Sequence, residues 1–146
     1  MEKYMRNKEI KITELGLVTR EEYGRIALNG VTLEKPEEAT LDYLVRYGFN
    51  IEVIQPNNTP RVKNPDVLIM GTIWEVKTPT TSNQKTLKKR IHKASKQANR
   101  IIFDLRGIRK NYEAAEAYII KMFKGNRSLR RMFLINKSGK LLDFQK

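Results

Sequence analysis

Residues 64–77 read Asn64-Pro65-Asp66-Val67-Leu68-Ile69-Met70-Gly71-Thr72-Ile73-Trp74-Glu75-Val76-Lys77. Two β-rich runs, Val67 to Met70 and Ile73 to Lys77, are separated only by Gly71-Thr72, and a two-residue loop with glycine first is the signature of a type II′ hairpin. Side chains alternate along a strand, so Glu75 and Lys77 share one face while Trp74 and Val76 share the other. If Asp66 opens the facing strand, the tight turn folds it back beside them, and two carboxylates and an ammonium meet at one end of the hairpin. Carboxylates and carbonyls are the oxygen ligands of a hard divalent cation, and magnesium takes only one or two protein carboxylates while keeping several waters. A lysine beside them can orient or deprotonate an attacking water. The same spacing also fits a plain surface hairpin with a charged outer face.

Upstream, Pro36 stands at a favoured first helical position, and Leu41, Leu44 and Val45 recur at helical spacing. A helix over Pro36 to Tyr47, closed by Gly48, follows. Glu37 lies four residues and Glu38 three before Leu41, so either can face inward. Phe49 to Ile54 alternates as a strand and runs into the turn-rich Gln55-Pro56-Asn57-Asn58-Thr59-Pro60. Met1 to about Gly30 shows no sustained period apart from a helix expected over Thr19 to Leu28, with Thr19 as cap. Residues 1–32 therefore read as an appendage and 33–146 as the domain.

Downstream, Leu87, Ile91, Ala94 and Ala98 fall at helical spacing among Lys88, Lys89, Arg90, Lys93 and Lys96, a basic amphipathic helix over Thr86 to Ala98. Ile101 to Leu105 reads as a strand, Tyr112 to Phe123 as a helix ended by Gly125, and Arg131 to Ile135 as a strand turning at Lys137-Ser138-Gly139 into Leu141 to Phe144. Tyr112, Tyr118 and Phe123 read as core residues of their helix, and Trp74 as core of the hairpin. The order helix, three strands, helix, strand, helix, two strands predicts an α/β fold, a mixed sheet flanked by helices.

The chain has 146 residues, the size of one domain, with no cysteine and one histidine, His92. Disulfides, thiolate zinc sites, a cysteine nucleophile and a multi-histidine metal site are excluded together. Apolar runs such as Ala117 to Ile120 are far shorter than the roughly 20 residues a bilayer span needs, and the chain is expected to be soluble without a membrane partner. Net charge is +13 and unevenly placed. Residues 1–80 carry 11 basic against 12 acidic side chains, whereas residues 81–146 carry 18 against 4. That asymmetry suits a polyanion, because neutralising phosphates releases their counterions. No Gly-rich nucleotide loop occurs, so a nucleotide-driven motor is not supported.

Pro65-Asp66 followed by Glu75-Val76-Lys77 resembles the motif of the PD-(D/E)xK nuclease superfamily. The resemblance implies a restriction-endonuclease-like fold, with Asp66, Glu75 and the Val76 carbonyl as ligands of a divalent metal ion (magnesium, manganese or zinc) and Lys77 as the catalytic lysine. Glu38, or its neighbour Glu37, would complete the acidic site. A closer resemblance covers residues 36–146 and rests on Gly48-Phe49, Ile73-Trp74-Glu75-Val76-Lys77-Thr78-Pro79, Ala94-Ser95-Lys96-Gln97-Ala98 and Ser138-Gly139-Lys140. These segments are similar to the C-terminal tRNA nuclease domain of contact-dependent growth inhibition toxins and to related phage and mobile-element modules. The resemblance implies tRNA as substrate before DNA, an acidic immunity protein as partner, and a cytoplasmic site of action reached as part of a secreted or phage-associated effector.

Lys85, Lys88, Lys89, Arg90, Lys93 and Lys96 can then hold phosphates, Gln97 stands where the superfamily often keeps a glutamine, and Arg127, Arg130 and Arg131 form a second basic cluster. His92 reads as a solvated residue or a phosphate contact. Two other readings fit the same residues: a DNA endonuclease of the restriction or repair type, and a nucleic-acid-binding module without catalysis.

Overall fold

The computed structural model describes residues 10–55, the backbone of 61 and 62, and residues 66–146. Met1 to Glu9, most of the turn-rich Gln55 to Pro60 segment, and Asn64-Pro65 of the hairpin motif lie outside the described residues. In chain order the elements are β1 (Lys11–Leu15), a single 3-10 turn (Arg20–Glu22), β2 (Ile26–Ala27), β3 (Thr32–Leu33), α1 (Lys35–Val45), β4 (Ile51–Val53), β5 (Arg61–Val62), β6 (Asp66–Ile69), β7 (Thr72–Lys77), α2 (Gln84–Ser95), β8 (Arg100–Asp104), α3 (Tyr112–Gly125), β9 (Arg131–Ile135) and β10 (Leu141–Gln145).

Eight strands form one mixed sheet in the order β1-β10-β9-β8-β7-β6-β4-β2, and β3 pairs with β5 in a separate ribbon. Strands β7, β8 and β9 run parallel at its centre, linked by α2 and α3, because a parallel pair needs a long crossover. The remaining neighbours are antiparallel except β2 and β4. The α/β fold with a helix-flanked mixed sheet expected from the sequence is observed. Among the described residues no helix is long and apolar enough to cross a membrane.

The two sheet faces carry separate cores. Leu41 and Leu44 of α1 pack with Val67, Ile69, Trp74, Val76, Ile102 and Phe133 on one face. Leu87 and Ile91 of α2 and Ile119 and Phe123 of α3 pack with Ile101, Phe103, Met132 and Leu134 on the other. Trp74 is core as expected, stacked on Phe133 at 4.3 Å between ring centroids. Phe123 is buried and Tyr118 half-buried, but Tyr112, at the start of α3, is exposed.

Three expectations need correction. The β6–β7 turn is Met70-Gly71, because Ile69 pairs with Thr72. Both residues have positive φ, 54° and 75°, the pattern of a type I′ turn rather than type II′ at Gly71-Thr72. The helix expected over Thr19 to Leu28 is cut to one turn, although Thr19 Oγ1 does donate to Glu22 Oε1 at 2.8 Å. Tyr23 is extended, and Gly24 is wedged between α1 and the approach to β4, its N–H donating to Val45 O at 2.8 Å. The chain then continues as β2, which pairs with β4. The boundary read after residue 32 has strands of the main sheet on both sides of it, since β1 and β2 form the two edges.

A Cβ built on Gly24 would stand 1.7 Å from the Phe49 carbonyl oxygen. Gly24→Ala therefore forces the backbones apart and is expected to cost about 2 kcal/mol or more, measured as a lowered urea midpoint with unchanged m-value.

Candidate functional site

The Met70-Gly71 turn sets the register of the hairpin, and that register places Asp66 directly opposite Glu75. Directly opposed residues of an antiparallel pair project to the same face. Glu75 and Lys77, two residues apart, share that face too, and Lys77 Nζ lies 3.2 Å from Glu75 Oε1. Both are nearly inaccessible, Glu75 3% and Lys77 4% exposed, while Asp66 is half-buried at the hairpin's open end. The structure therefore brings together Asp66, Glu75 and Lys77 as the sequence predicts. Val76 sits between the last two with its side chain in the opposite core.

Burial removes Glu75 from water, and Asp66 adds a second carboxylate beside it. Both effects disfavour the anion, and they outweigh Lys77, so the Glu75 carboxyl is pushed up from 4.5 to about 8. Glu75 Oε2 is buried and has no hydrogen-bond partner among the described residues. An orphaned carboxylate oxygen beside a second carboxylate is a donor set that a hard divalent cation fits, because it relieves both the repulsion and the unmet lone pairs.

The upstream acid needs a correction. Glu38 is exposed and Glu37, 2% exposed, is the buried one. The helical period explains the choice: Glu37 lies three, four and seven residues before buried Thr40, Leu41 and Leu44. Glu38 matches only Leu41 in that set. This signal is in the sequence, but it needs the full three-turn register. α1 packs on the face opposite Glu75, and among the described residues no three acids or histidines gather to hold a metal. The acid site is thus a pair, with Glu37 outside it.

α2 begins seven residues after Lys77 and covers the same face. Its N-cap is Asn83, which accepts from the Thr86 N–H at 3.1 Å, and its first turn contains no acid. Lys85, Lys88 and Lys89 are exposed near the positive end of the helix dipole. That arrangement does nothing for helix stability but concentrates positive potential beyond the acid pair. Lys93, Lys96, Gln97 and His92 are exposed along the same helix and its C-terminal turn, while Arg90 is half-buried. Arg127 and Arg130 are exposed in the segment entering β9, two strands away from Glu75. Arg131 is occupied: its Nε and Nη2 bind Asp143 at 3.0 and 2.9 Å.

A polar cluster that sequence reading missed holds α1 in place. Thr40 Oγ1 donates to Asp104 Oδ2 at 2.6 Å, and Arg106 Nε and Nη2 bind the same carboxylate at 3.0 and 2.8 Å. The Arg106 guanidinium lies 4.3 Å above the Tyr43 ring. No local pattern marks these residues, since Thr40 and Asp104 are 64 positions apart.

Residues 63–141 match the contact-dependent growth inhibition CdiA C-terminal domain family. Among solved structures, the chain is similar to the CdiA-CT/CdiI toxin and immunity complex from Burkholderia pseudomallei, with TM-score 0.61 and 20% identity over 84% of this chain and 100% of that one. That likeness is one of fold. No curated protein matches the chain.

The raised Glu75 value carries a sign. The folded protein holds a proton on Glu75 that the unfolded chain has already released between about pH 4.5 and 8, so this contribution to stability is present below that window and lost as pH rises through it. In metal-free protein, urea stability is expected to fall across that window by up to about 1.4 kcal/mol per pH unit, and Asp66→Asn to shorten the decline by removing the like charge.

Proposed function

Because the chain belongs to the contact-dependent growth inhibition CdiA C-terminal domain family, we propose that it is a toxin-type nuclease hydrolysing phosphodiester bonds, with a restriction-endonuclease-like arrangement of the PD-(D/E)xK kind. The observation that carries this reading is the register pairing of Asp66 with Glu75 beside the buried Glu75–Lys77 ion pair. Asp66 and Glu75, with the Val76 carbonyl, would hold a divalent cation, magnesium, manganese or zinc. When bound, such a cation supplies Lewis-acid stabilisation of the charge that develops on a phosphate. Lys77, with Nζ 3.2 Å from Glu75 Oε1, would turn its other N–H bonds toward a phosphate oxygen or an attacking water. Holding the cation requires Glu75 to lose its proton, so affinity for the metal rises with pH toward 8.

Charge supports a nucleic-acid substrate, and the preference for tRNA over DNA rests on the family resemblance alone. Lys85, Lys88, Lys89, Lys93 and Lys96 form an exposed basic stripe on the helix that follows the acid pair, and phosphate contacts of this kind position a backbone without reading its sequence. Arg90, Gln97, Arg127 and Arg130 extend it. tRNA is the favoured substrate and duplex DNA the second. We further propose an acidic immunity protein as partner, since the Burkholderia toxin is seen in complex with an immunity protein, and delivery within a larger secreted effector to the cytoplasm of a target cell.

The test is incubation of wild type and Glu75→Gln with total tRNA and with plasmid DNA, each with magnesium, manganese, zinc or EDTA, read on gels. Metal-dependent cleavage is expected, lowered about a hundredfold or more in Glu75→Gln while salt-sensitive binding persists. Cleavage that survives EDTA or Glu75→Gln overturns the assignment, and binding without cleavage by both proteins returns a non-catalytic module.

A further inference from the structure

The face that carries the acid pair is only partly covered. From β8 toward β10 it is roofed by α2 and α3, whose apolar side chains meet Ile101, Phe103, Met132 and Leu134. On the other side of the pair the register defines one cross-strand row, Ala27, Glu52, Leu68 and Ile73, on strands β2, β4, β6 and β7. In this row Leu68 is half-buried and the other three are exposed, Ile73 by 47%. The alternate residues of the same strands, Ile51, Val53, Val67 and Ile69, are buried on the α1 face. A depression of about 510 Å³ opens here, with Arg25, Ala27, Asn50, Glu52, Leu68 and Met70 among its lining residues. That is within the size range of small-ligand sites.

We infer that this depression is a base pocket, seating an unpaired nucleobase of the substrate strand next to the phosphate at Asp66 and Glu75. The inference rests on the nucleic-acid reading above and adds its substrate class: a strand with a base out of the helix. Leu68 is two residues along β6 from Asp66 on the same face, roughly 7 Å at strand rise, the separation of a backbone phosphate from a neighbouring base. The lining is largely apolar, with one cation, Arg25, and one carboxylate, Glu52, and a guanidinium can stack on a base as well as meet a phosphate. Leu68, Met70 and Ala27 offer apolar contact to a ring face, and a carboxylate at Glu52 repels phosphates but accepts hydrogen bonds from the amino group of a base. The basic stripe of α2 lies on that helix's outer side, opposite Leu87, Ile91 and Ala94, which pack on the sheet, so the lysines face solvent above the acid pair's face. A protein partner seated on this floor is the competing occupant, and the test separates the two.

The measurement is fluorescence anisotropy of full-length protein, in EDTA and low salt, with labelled oligocytidine, oligouridine and a blunt RNA duplex. Cytosine and uracil share a ring size and differ at the amino group. Wild type is expected to prefer oligocytidine by about five- to tenfold, and Glu52→Ala to remove that preference whatever its effect on overall affinity. Leu68→Ala is expected to weaken both single strands by about three- to tenfold and leave the duplex unchanged. An unaltered cytosine preference in Glu52→Ala, or a Leu68→Ala effect equal on duplex and single strands, overturns the pocket while the nuclease reading stands. Unchanged binding of all three by Leu68→Ala also overturns it and gives the floor to a protein partner. If wild type binds no nucleic acid at all, the nucleic-acid reading and the pocket fall together.

Discussion

Everything at the site depends on one register. Asp66 faces Glu75 because the hairpin turns at Met70-Gly71, with both residues in the left-handed region and Ile69 paired with Thr72. Since side chains alternate with a period of two, a slip of one residue would send Glu75 and Lys77 into the α1-side core and put Trp74 on the site face. The opposite face resists such a slip. Trp74 stacks on Phe133, and its Nε1 donates to Thr72 Oγ1 at 3.1 Å, so the indole locks the strand that carries the charged pair. Glu75 and Lys77 are buried side by side, with Nζ 3.2 Å from Oε1, and burial together with Asp66 favours the neutral Glu75 carboxyl. The residual strain is electrostatic and sits on Glu75, the group left with an unmatched oxygen.

A second set of contacts fixes α1 against that hairpin. Asp104, at the end of β8, takes Thr40 from α1 and both guanidinium arms from Arg106. Arg106 in turn sits over Tyr43, whose hydroxyl pairs with Tyr47 at 2.7 Å and donates to the Gly139 carbonyl of the last hairpin turn. Burial and these hydroxyl contacts push the Tyr43 phenol well above its usual value, so it stays a neutral donor. Lys137 closes the loop by donating to the Arg106 carbonyl at 2.8 Å. Three segments distant in sequence meet at the end of the sheet where β8 stops, and the buried Glu37 stands one helical turn before Thr40.

Charge is divided between the two halves of the chain. Residues 1–80 hold 12 of the 16 acidic side chains, Asp66 and Glu75 among them, and residues 81–146 hold 18 of the 29 basic ones. On the sheet these halves adjoin, because the acids lie on β6 and β7 and the basic stripe rides the next helix over the same face. Membership of the CdiA C-terminal domain family gives that arrangement a toxin context. The likeness to the Burkholderia toxin, at 20% identity, is carried by backbone architecture.

The sequence by itself determined the elements and most of the site. Apolar periodicity located α1, α2, α3, β4 and the strands β6 to β10 to within a few residues but not β5, and strand alternation put Glu75 and Lys77 on the face that Asp66 shares, because these are local regularities of period 3.6 and 2. Local pattern failed where a distant backbone intervened. The Thr19 to Leu28 helix gave way because Gly24 must pass under the Phe49 carbonyl, and the hairpin turn moved by one residue because cross-strand pairing outranks the preference of an isolated Gly-Thr pair. Only the tertiary structure joined Thr40 to Asp104 and set β1 and β2 at the two edges of the sheet. Each of those outcomes depends on which surfaces meet across tens of residues, and burial and pairing are properties of that meeting, which no window of neighbouring residues contains.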